Sequence, residues 1–304
     1  MKFFVQTLSL RKTGDFPVKR LAISISGGGM LGIGPLAFMT RMEQDFGKKL
    51  CDMTFAYGGT STGSIIAAGL AEGLQAHEIF DLYKGNLKNI FKKYPWYKIL
   101  DRKCPTYDHT NLKKMLQKTF PGKMGAWKKS VYFPVTYMNG KSVEKVWDLG
   151  DKDTDKWFAV LTSCSAPTYF DVIVQNGKSY CDGGMWANDP VETLESGLTK
   201  AGHRDFKILS FNTGMDTPHT ACGNMSKLEW LEYILDEWVA RSGMANYYEA
   251  CAHLGEENVF RASPSHSKKI KMAKTDDKTI NEVIDIWHSY YESVKDKLKE
   301  FINR

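Results

Sequence analysis

The chain of 304 residues is poor in cysteine, and its cysteines are widely spaced. It contains no C-x-x-C pair and no Cys/His cluster. Small disulfide scaffolds are far denser in cysteine, and structural zinc sites need closely spaced ligands. We therefore expect reduced thiols, a cytoplasmic location and no metal site. The six cysteines are Cys51, Cys104, Cys164, Cys181, Cys222 and Cys251.

Long uninterrupted apolar segments are also missing. Residues 2–5 begin like a signal peptide, but polar residues from Thr7 onward end the apolar run too early. Residues 21–40 carry no charge, yet they contain five glycines and Pro35, which suits a strand, a loop and a helix better than a membrane helix. We expect a soluble protein without a signal peptide or transmembrane helix. Repeats and low-complexity linkers are absent too, so we expect one domain over residues 1–304.

Charge is present in ordinary amount but is unevenly distributed. The charged fraction of 25% and the apolar fraction of 42% exclude a disordered or fibrous chain. Residues 84–129 hold thirteen Lys or Arg but only two acids, a net charge of +11 that leaves −5 on the rest of the chain. Such a basic block indicates an anionic partner such as a lipid surface, a nucleic acid or a phosphorylated ligand. A lysine-rich solvated face is the alternative.

The apolar pattern predicts an α/β fold. A buried strand over residues 21–25, a glycine-rich loop, a helix over 35–46, a strand over 55–57 and a helix over 64–73 follow one another, which favours a parallel sheet. We expect a central, mainly parallel sheet flanked by helices in three layers. Further along, Asn139-Gly140 predicts a hairpin, residues 227–254 one long helix or a broken pair, and about 279–303 a C-terminal helix. We interpret about 84–129 as a basic, aromatic-containing insertion.

The segment Gly59-Thr60-Ser61-Thr62-Gly63 matches the G-x-S-x-G nucleophile elbow. On a sharp turn between strand and helix, the serine oxygen projects above the sheet. The flanking glycines are needed because side chains there would collide with the neighbouring strand and helix. The following helix N-terminus favours developing negative charge. A small-residue turn used only for tight packing would give the same pattern.

A second glycine-rich segment, Gly27-Gly28-Gly29-Met30-Leu31-Gly32, follows the first predicted strand. It also matches the G-x-G-x-x-G dinucleotide fingerprint, and Asp52 lies about twenty residues further on. However, Asp52 precedes the second strand, whereas a ribose-binding acid should end it. The backbone N–H groups of such a loop could equally form an oxyanion hole, or the loop could be a tight turn without a ligand.

A third segment, Asp182-Gly183-Gly184, places a carboxylate at the end of a predicted strand. It suits a plain turn, or a base that accepts a serine proton. Serine enzymes usually also use a histidine, but none of the seven histidines lies in a turn typical of a catalytic loop.

Taken together, these three segments resemble the patatin-like phospholipase family. That family combines a glycine-rich oxyanion loop, a G-x-S-x-G elbow and a later D-G-G/A aspartate, in this order. Residues 162–170, 182–190 and 209–214 resemble further family segments, and the last of these is a strand that ends in Thr-Gly. The resemblance covers roughly residues 20–215.

The resemblance implies a Ser-Asp dyad without a histidine. Ser61 would be the nucleophile and Asp182 the general base, with Gly183 and Gly184 completing its loop. Gly27, Gly28 and Gly29 would form the oxyanion hole, and Gly59 and Gly63 would shape the elbow. No metal or cofactor is required. The chain departs from the family at Leu31, where Arg or Lys is common, and at Ser26, where Asp is frequent.

From these residues we expect a serine acyl hydrolase of the phospholipase A type that cleaves ester bonds of membrane phospholipids. The basic block would then attach the protein peripherally to an anionic membrane, since lysines attract headgroups and Trp and Tyr favour the headgroup level. The candidate membrane-binding residues are Lys92, Lys93, Trp96, Tyr97 and Lys98.

Other functions remain open at this point. The basic block could hold a nucleotide in a nucleotide-regulated or catalytically altered relative that acts mainly by binding an anionic ligand or membrane. We expect no direct nucleic-acid binding, because no basic helix, zinc finger or RNA-binding motif occurs. A dinucleotide oxidoreductase and a histidine-dependent α/β-hydrolase fit less well. The oligomeric state is not indicated.

Overall fold

A computed structural model describes residues 19–99, 101, 104–213, 225–226, 229–230, 243–267 and 270–304. Within them, eight strands form one mixed sheet with the order β5-β6-β3-β2-β1-β7-β8, and β4 pairs with β3. The strands β3, β2, β1, β7 and β8 run parallel, whereas β4, β5 and β6 pair antiparallel. The predicted α/β class with a mainly parallel sheet is therefore confirmed. The strands are β1 Arg20–Ile25, β2 Thr54–Gly59, β3 Ser130–Met138, β4 Ser142–Trp147, β5 Ile173–Gln175, β6 Lys178–Asp182, β7 Phe206–Phe211 and β8 Val259–Ala262.

Helices cover both faces of this sheet. Helices α1, α3, α4 and α11 pack on one face, while α9 and α10 pack on the other. The helices are α1 Ile33–Phe46, α2 Leu50–Met53, α3 Thr62–Ala71, α4 Ala76–Ile90, α5 Trp96–Ile99, α6 Thr110–Thr119, α7 Lys156–Ser163, α8 Gly184–Ala187, α9 Val191–Lys200, α10 Gly243–Leu254 and α11 Asp277–Asn303. Short 3₁₀ turns cover Gly29–Gly32, Met124–Ala126, Leu149–Asp151 and Glu256–Asn258.

Side chains of β1 show why three layers form. Leu21, Ile23 and Ile25 face the larger core with α1, whereas Ala22 faces the smaller core with α9. Alternate residues of a strand point to opposite faces, so a strand that is apolar throughout must be covered on both. On the larger side, Phe38 of α1 packs edge-to-face against Trp287 and Tyr291 of α11.

The register of β3 brings two of the predicted catalytic segments together. Its residues 130–132 pair with β2, and its residues 135–138 pair with β6. Asp182, the last residue of β6, is therefore opposite Val135, three residues beyond the last contact with β2. The switch from parallel to antiparallel pairing places the end of β6 beside the turn that follows β2.

Several sequence predictions can be compared with these elements. The predicted hairpin joins β3 and β4, and the predicted C-terminal helix is α11. Of the helix predicted over 227–254, Gly243–Leu254 is helical and most of the rest lies outside the described residues. Residues 1–18 and Cys222 also lie outside them. The single-domain assignment and the insertion at about 84–129 remain predictions.

No helix in the described part of the chain is long enough and apolar enough to cross a bilayer.

Candidate active site

Ser61 occupies a sharp turn between β2 and α3. Its backbone angles, φ 54° and ψ −126°, are unfavourable for a residue with a side chain. A Cβ on Gly59 would lie 2.5 Å from the carbonyl carbon of Gly63, and a Cβ on Gly63 would lie 2.8 Å from the carbonyl carbon of Ile25. Both flanking positions thus require glycine, for the steric reason that the sequence pattern suggested.

Ser64 and two side chains distant in sequence hold the backbone of Ser61 in this conformation. Its carbonyl oxygen accepts hydrogen bonds from Ser64 N–H at 2.9 Å, Ser64 Oγ at 2.6 Å and Cys164 Sγ at 3.1 Å. Its N–H donates to Ser163 Oγ at 3.3 Å, and Ser163 Oγ donates in turn to the carbonyl of Pro134. Sequence reasoning gave these anchors no role, because no local pattern joins residue 61 to residues 163 and 164.

Asp182 ends β6 and is only 3% exposed. Its N–H donates to Ser165 O at 3.0 Å, and its Oδ1 accepts from Gly184 N–H at 2.7 Å. Burial raises the pKa of Asp182 to about 7, against the opposing effect of hydrogen bonds from the Ser61 side chain and Gly184 N–H. Ser61 therefore lies beside a carboxyl group that can change protonation near neutral pH.

The glycine loop lies directly beside Ser61. A Cβ on Gly27 would be 3.1 Å from Ser61 Cβ and 2.5 Å from Asn188 Oδ1. The N–H of Gly27 is already engaged, since it donates to the carbonyl of Asn188 at 3.0 Å. Within the described part of the chain, the N–H groups of Gly28 and Gly29 have no acceptor, and both glycines line the same cavity as Ser61. We therefore predict that the N–H groups of Gly28 and Gly29, and not that of Gly27, donate to the oxyanion.

The two departures from the family pattern are not at the cavity. Leu31 is 1% exposed and packs in the larger core, and Ser26 is buried. Neither residue lines the cavity that contains Ser61. Leucine at position 31 thus contributes apolar packing and leaves the backbone donors of the loop in place.

The cavity is largely apolar and partly open. It has an empty volume of about 860 Å³, some of which opens to solvent. Ser61, Asp182 and the three glycines are among the residues that line it. Its apolar walls come from Ile65, Tyr83, Ile90, Phe91, Leu112, Tyr169, Phe170 and Met272. An apolar space beside a nucleophile suits a hydrocarbon chain.

The predicted membrane-binding residues follow directly after one wall of this cavity. Phe91 lines the cavity, and Lys92, Lys93 and Lys98 are exposed. Trp96 is 76% and Tyr97 61% exposed. The hydroxyl of Tyr94 donates to Asp171 Oδ2 at 2.9 Å, which fixes this segment beside the wall residues Tyr169 and Phe170. Met185, a lining residue that is 51% exposed, adds an apolar group that the sequence pattern did not single out.

Among the described residues that line the cavity there is no histidine. Nor do three His, Cys, Asp or Glu side chains cluster as metal ligands anywhere in the described residues. The titratable groups of the cavity are the Asp182 carboxyl, the Cys164 thiol and the hydroxyls of Tyr83 and Tyr169. Burial raises the pKa of both Cys164 and Tyr83, so these two groups remain protonated at neutral pH.

A serine elbow, a buried aspartate and a glycine loop thus lie together on a mixed α/β sheet. The family model described as patatin-like phospholipase matches residues 23–195, and the chain belongs to this family. The human GIVD cytosolic phospholipase A2 has a similar fold, with a TM-score of 0.51 and 8% identity over 94% of this chain and 60% of that one.

Relatives with similar sequences carry phospholipase names. An intracellular phospholipase A2 of Caenorhabditis elegans is 28% identical over 57% of this chain and 16% of its own length. A cGAMP-activated phospholipase of Vibrio cholerae is 29% identical over 63% of each chain, and one of Escherichia coli is 25% identical over 69% of this chain and 67% of its own. The chain thus spans from about a sixth to about two thirds of these relatives.

Proposed function

We propose that the protein is a serine acyl hydrolase of the phospholipase A type, which cleaves ester bonds of membrane phospholipids through Ser61 and Asp182. One observation carries this proposal most strongly: the Ser61 side chain, on a strained turn, lies beside a buried carboxyl group whose pKa burial raises to about 7. Membership of the patatin-like phospholipase family supports it.

In the first half of the reaction, ionised Asp182 accepts the proton of the Ser61 hydroxyl while Oγ attacks the acyl carbonyl carbon. The N–H groups of Gly28 and Gly29 stabilise the negative charge that develops on the carbonyl oxygen. The bond to the alcohol oxygen then breaks, and protonated Asp182 gives its proton to that oxygen. The lysolipid leaves, and the acyl group stays on Ser61.

In the second half, Asp182 accepts a proton from a water molecule that attacks the acyl-enzyme. The same two N–H groups stabilise the second oxyanion. Collapse of this intermediate releases the fatty acid and returns the proton from Asp182 to Ser61 Oγ. A single carboxyl group serves both halves because a pKa near 7 lets it accept and return a proton.

The surroundings of the dyad support a lipid substrate. The apolar walls of the cavity suit the acyl chain. Beside them, Lys92, Lys93 and Lys98 have no carboxylate within salt-bridge distance among the described residues, so their charges are available to anionic headgroups. Each lysine near such a surface contributes about 1 kcal/mol, and exposed Trp and Tyr favour the headgroup level.

The test is fatty-acid release from phospholipid vesicles by the wild type, Ser61→Ala and Asp182→Asn. We expect both variants to lose nearly all activity, since each removes one half of the dyad. Ser293→Ala, which removes an exposed serine hydroxyl on α11, is the matched control and should behave as the wild type. Undiminished release by both dyad variants would contradict the proposal.

A second candidate is that a cyclic dinucleotide regulates this hydrolase. It is favoured by the names of the bacterial relatives, which are called cGAMP-activated phospholipases. If it holds, cGAMP should increase fatty-acid release by the wild type and leave Ser61→Ala inactive. Equal release with and without cGAMP would argue against such regulation.

A further inference from the structure

Thr213 follows the end of β7 and contacts the glycine loop. It is fully buried, and its Oγ1 donates a hydrogen bond to the carbonyl oxygen of Gly27 at 2.8 Å. A Cβ on Gly28 would lie 2.6 Å from Thr213 Cβ, so the two residues pack directly on each other. The sequence resemblance included this strand end but gave Thr213 no role.

Peptide geometry connects this contact to the oxyanion hole. The carbonyl of Gly27 and the N–H of Gly28 belong to one planar trans peptide, in which the two groups point in opposite directions. A hydrogen bond that fixes the carbonyl therefore also fixes the direction of the N–H. Thr213 holds the carbonyl side, and the Gly28 N–H remains without an acceptor among the described residues.

Neighbouring peptides of the loop are anchored in other ways. Gly28 O accepts from Leu31 N–H at 3.1 Å, a main-chain bond that orients the Gly29 N–H. The next peptide is held by Tyr83 OH, which donates to Gly29 O at 2.8 Å, and by Met30 N–H, which donates to Met272 O at 2.7 Å. Within the described residues, a side chain thus holds the peptide of Gly28 but not that of Gly29, the other donor proposed for the oxyanion.

We propose that Thr213 is a positioning residue for acyl transfer, whose hydroxyl aims the Gly28 N–H at the oxyanion. This inference rests on the proposed hydrolase function. It goes beyond that function by assigning part of the transition-state stabilisation to a residue that does not touch the substrate. Because the aimed donor acts on charge that develops during reaction, its loss lowers kcat and leaves KM nearly unchanged.

The test compares Thr213→Val, which keeps the shape but lacks the hydroxyl, with Thr213→Ser, which keeps the hydroxyl. Removing an oxyanion donor outright costs about 10²–10³-fold in kcat. We therefore expect Thr213→Val to lose about 10- to 100-fold in kcat on p-nitrophenyl butyrate with a similar KM, and Thr213→Ser to stay within about threefold of the wild type.

A second measurement uses an alkyl fluorophosphonate. Ser61 Oγ forms a bond to phosphorus as the P–F bond breaks, fluoride leaves and the proton passes to Asp182. Since the phosphoryl oxygen takes the oxyanion position, the rate of adduct formation should fall in Thr213→Val by a factor similar to that in kcat. Thr213→Ala serves the same purpose if Thr213→Val does not fold.

Thr54→Val is the matched structural control. Thr54 is also buried, and its Oγ1 donates to the carbonyl of Leu50 at 2.7 Å and hydrogen-bonds the Tyr57 hydroxyl at 2.6 Å, at the start of β2 and thus at the opposite end of the strands. We expect it to lower Tm at least as much as Thr213→Val does, with unchanged kcat.

Wild-type kcat in Thr213→Val, or equal losses in Thr213→Val and Thr213→Ser, would overturn the role of Thr213. A wild type that neither hydrolyses the ester nor takes up the phosphonate would instead contradict the proposed function itself.

Discussion

At the scale of single residues, the burial of Asp182 matters most. A carboxyl group that is 3% exposed keeps its proton to higher pH, and only the hydrogen bonds from Ser61 and Gly184 oppose this effect. The result is a base whose pKa of about 7 is close to the pH at which it would work. The same burial that prepares the base for proton transfer costs stability.

The first prediction concerns the pH dependence of activity. Below pH 7, Asp182 is increasingly protonated and cannot accept the Ser61 proton, so kcat/KM should rise about tenfold per pH unit and level off above about pH 7. The measurement is kcat/KM on a soluble ester between pH 5 and 9. A profile that is flat down to pH 5 would show that the base titrates elsewhere.

The second prediction concerns stability. The pKa of an Asp side chain is 3.8 in an unfolded chain, and that of Asp182 is about 7 in the fold. Between these two pH values the native state binds more protons than the unfolded state, so the fold loses stability as pH rises through this window. Asp182→Asn removes this cost. The variant should therefore have a higher Tm than the wild type at pH 8, with a gain of a few kcal/mol at most in the free energy of unfolding. The increase in Tm should be smaller at pH 5.

The control for this prediction is Asp153→Asn, which removes an exposed carboxylate. It should leave Tm nearly unchanged at both pH values. A lower Tm for Asp182→Asn at pH 8 than for the wild type would mean that the ionised carboxylate stabilises the fold.

At the scale of elements, the unit formed by β2, the turn and α3 depends on close packing of backbone against backbone. A side chain at either flanking glycine has no space there. A Cβ on Gly63 would meet the carbonyl group of Ile25 in β1, and main-chain atoms inside a sheet cannot move aside as a flexible side chain can. The turn is thus held by its neighbours on both sides, β1 and α7.

The third prediction is that Gly63→Ala loses both stability and activity, because the collision forces β1 and α3 apart. We expect a loss of several kcal/mol in the free energy of unfolding, measured with urea. Gly85→Ala is the matched control, since nothing lies within 4 Å of a Cβ at this position in α4. It should stabilise the helix by up to about 1 kcal/mol. Equal stability of the two variants would contradict the steric account of the elbow.

Sequence reasoning found the elements with strong local patterns. The β-turn-α units around Gly27–Gly29 and Ser61, the hairpin at Asn139-Gly140 and α11 follow from apolar periodicity, glycine and turn residues. It missed β8, whose four residues become a strand only through pairing with β7, and the one-turn helices α2, α5 and α8. The contacts of Ser163, Cys164 and Thr213 with the candidate site were missed because their partners are more than 100 residues away.

At the scale of the whole molecule, ion pairs neutralise only part of the basic block. Lys88 pairs with Asp277 and Lys123 with Asp155, so part of its positive charge is neutralised. Lys92, Lys93 and Lys98 remain without such partners in the described residues, next to exposed Trp96 and Tyr97. Exposed Lys84, Lys114 and Lys118 also lack such partners among the described residues, so the exposed aromatic side chains, and not the lysines alone, favour the segment 92–98 as the proposed membrane attachment.

The fourth prediction is that Lys92→Glu/Lys93→Glu weakens binding to vesicles of anionic phospholipid by tenfold or more, in line with about 1 kcal/mol per lysine and the added repulsion. Binding of the wild type should also weaken between 0.05 and 0.5 M NaCl, as screening shortens the reach of these charges. Co-sedimentation with vesicles measures both effects.

Lys200→Glu/Lys297→Glu is the control, because it changes the net charge equally at exposed positions of α9 and α11. It should bind nearly as well as the wild type. If both double variants bind equally, net charge and not the segment 92–98 governs attachment.

The central claim is that Ser61 is a nucleophile activated by Asp182. Its most direct test is peptide mapping by mass spectrometry after reaction with an alkyl fluorophosphonate at pH 8. We predict one adduct per chain, on Ser61, that forms in the wild type and at least 100-fold more slowly in Asp182→Asn. An adduct on another residue, or equal rates in the two proteins, would contradict the account.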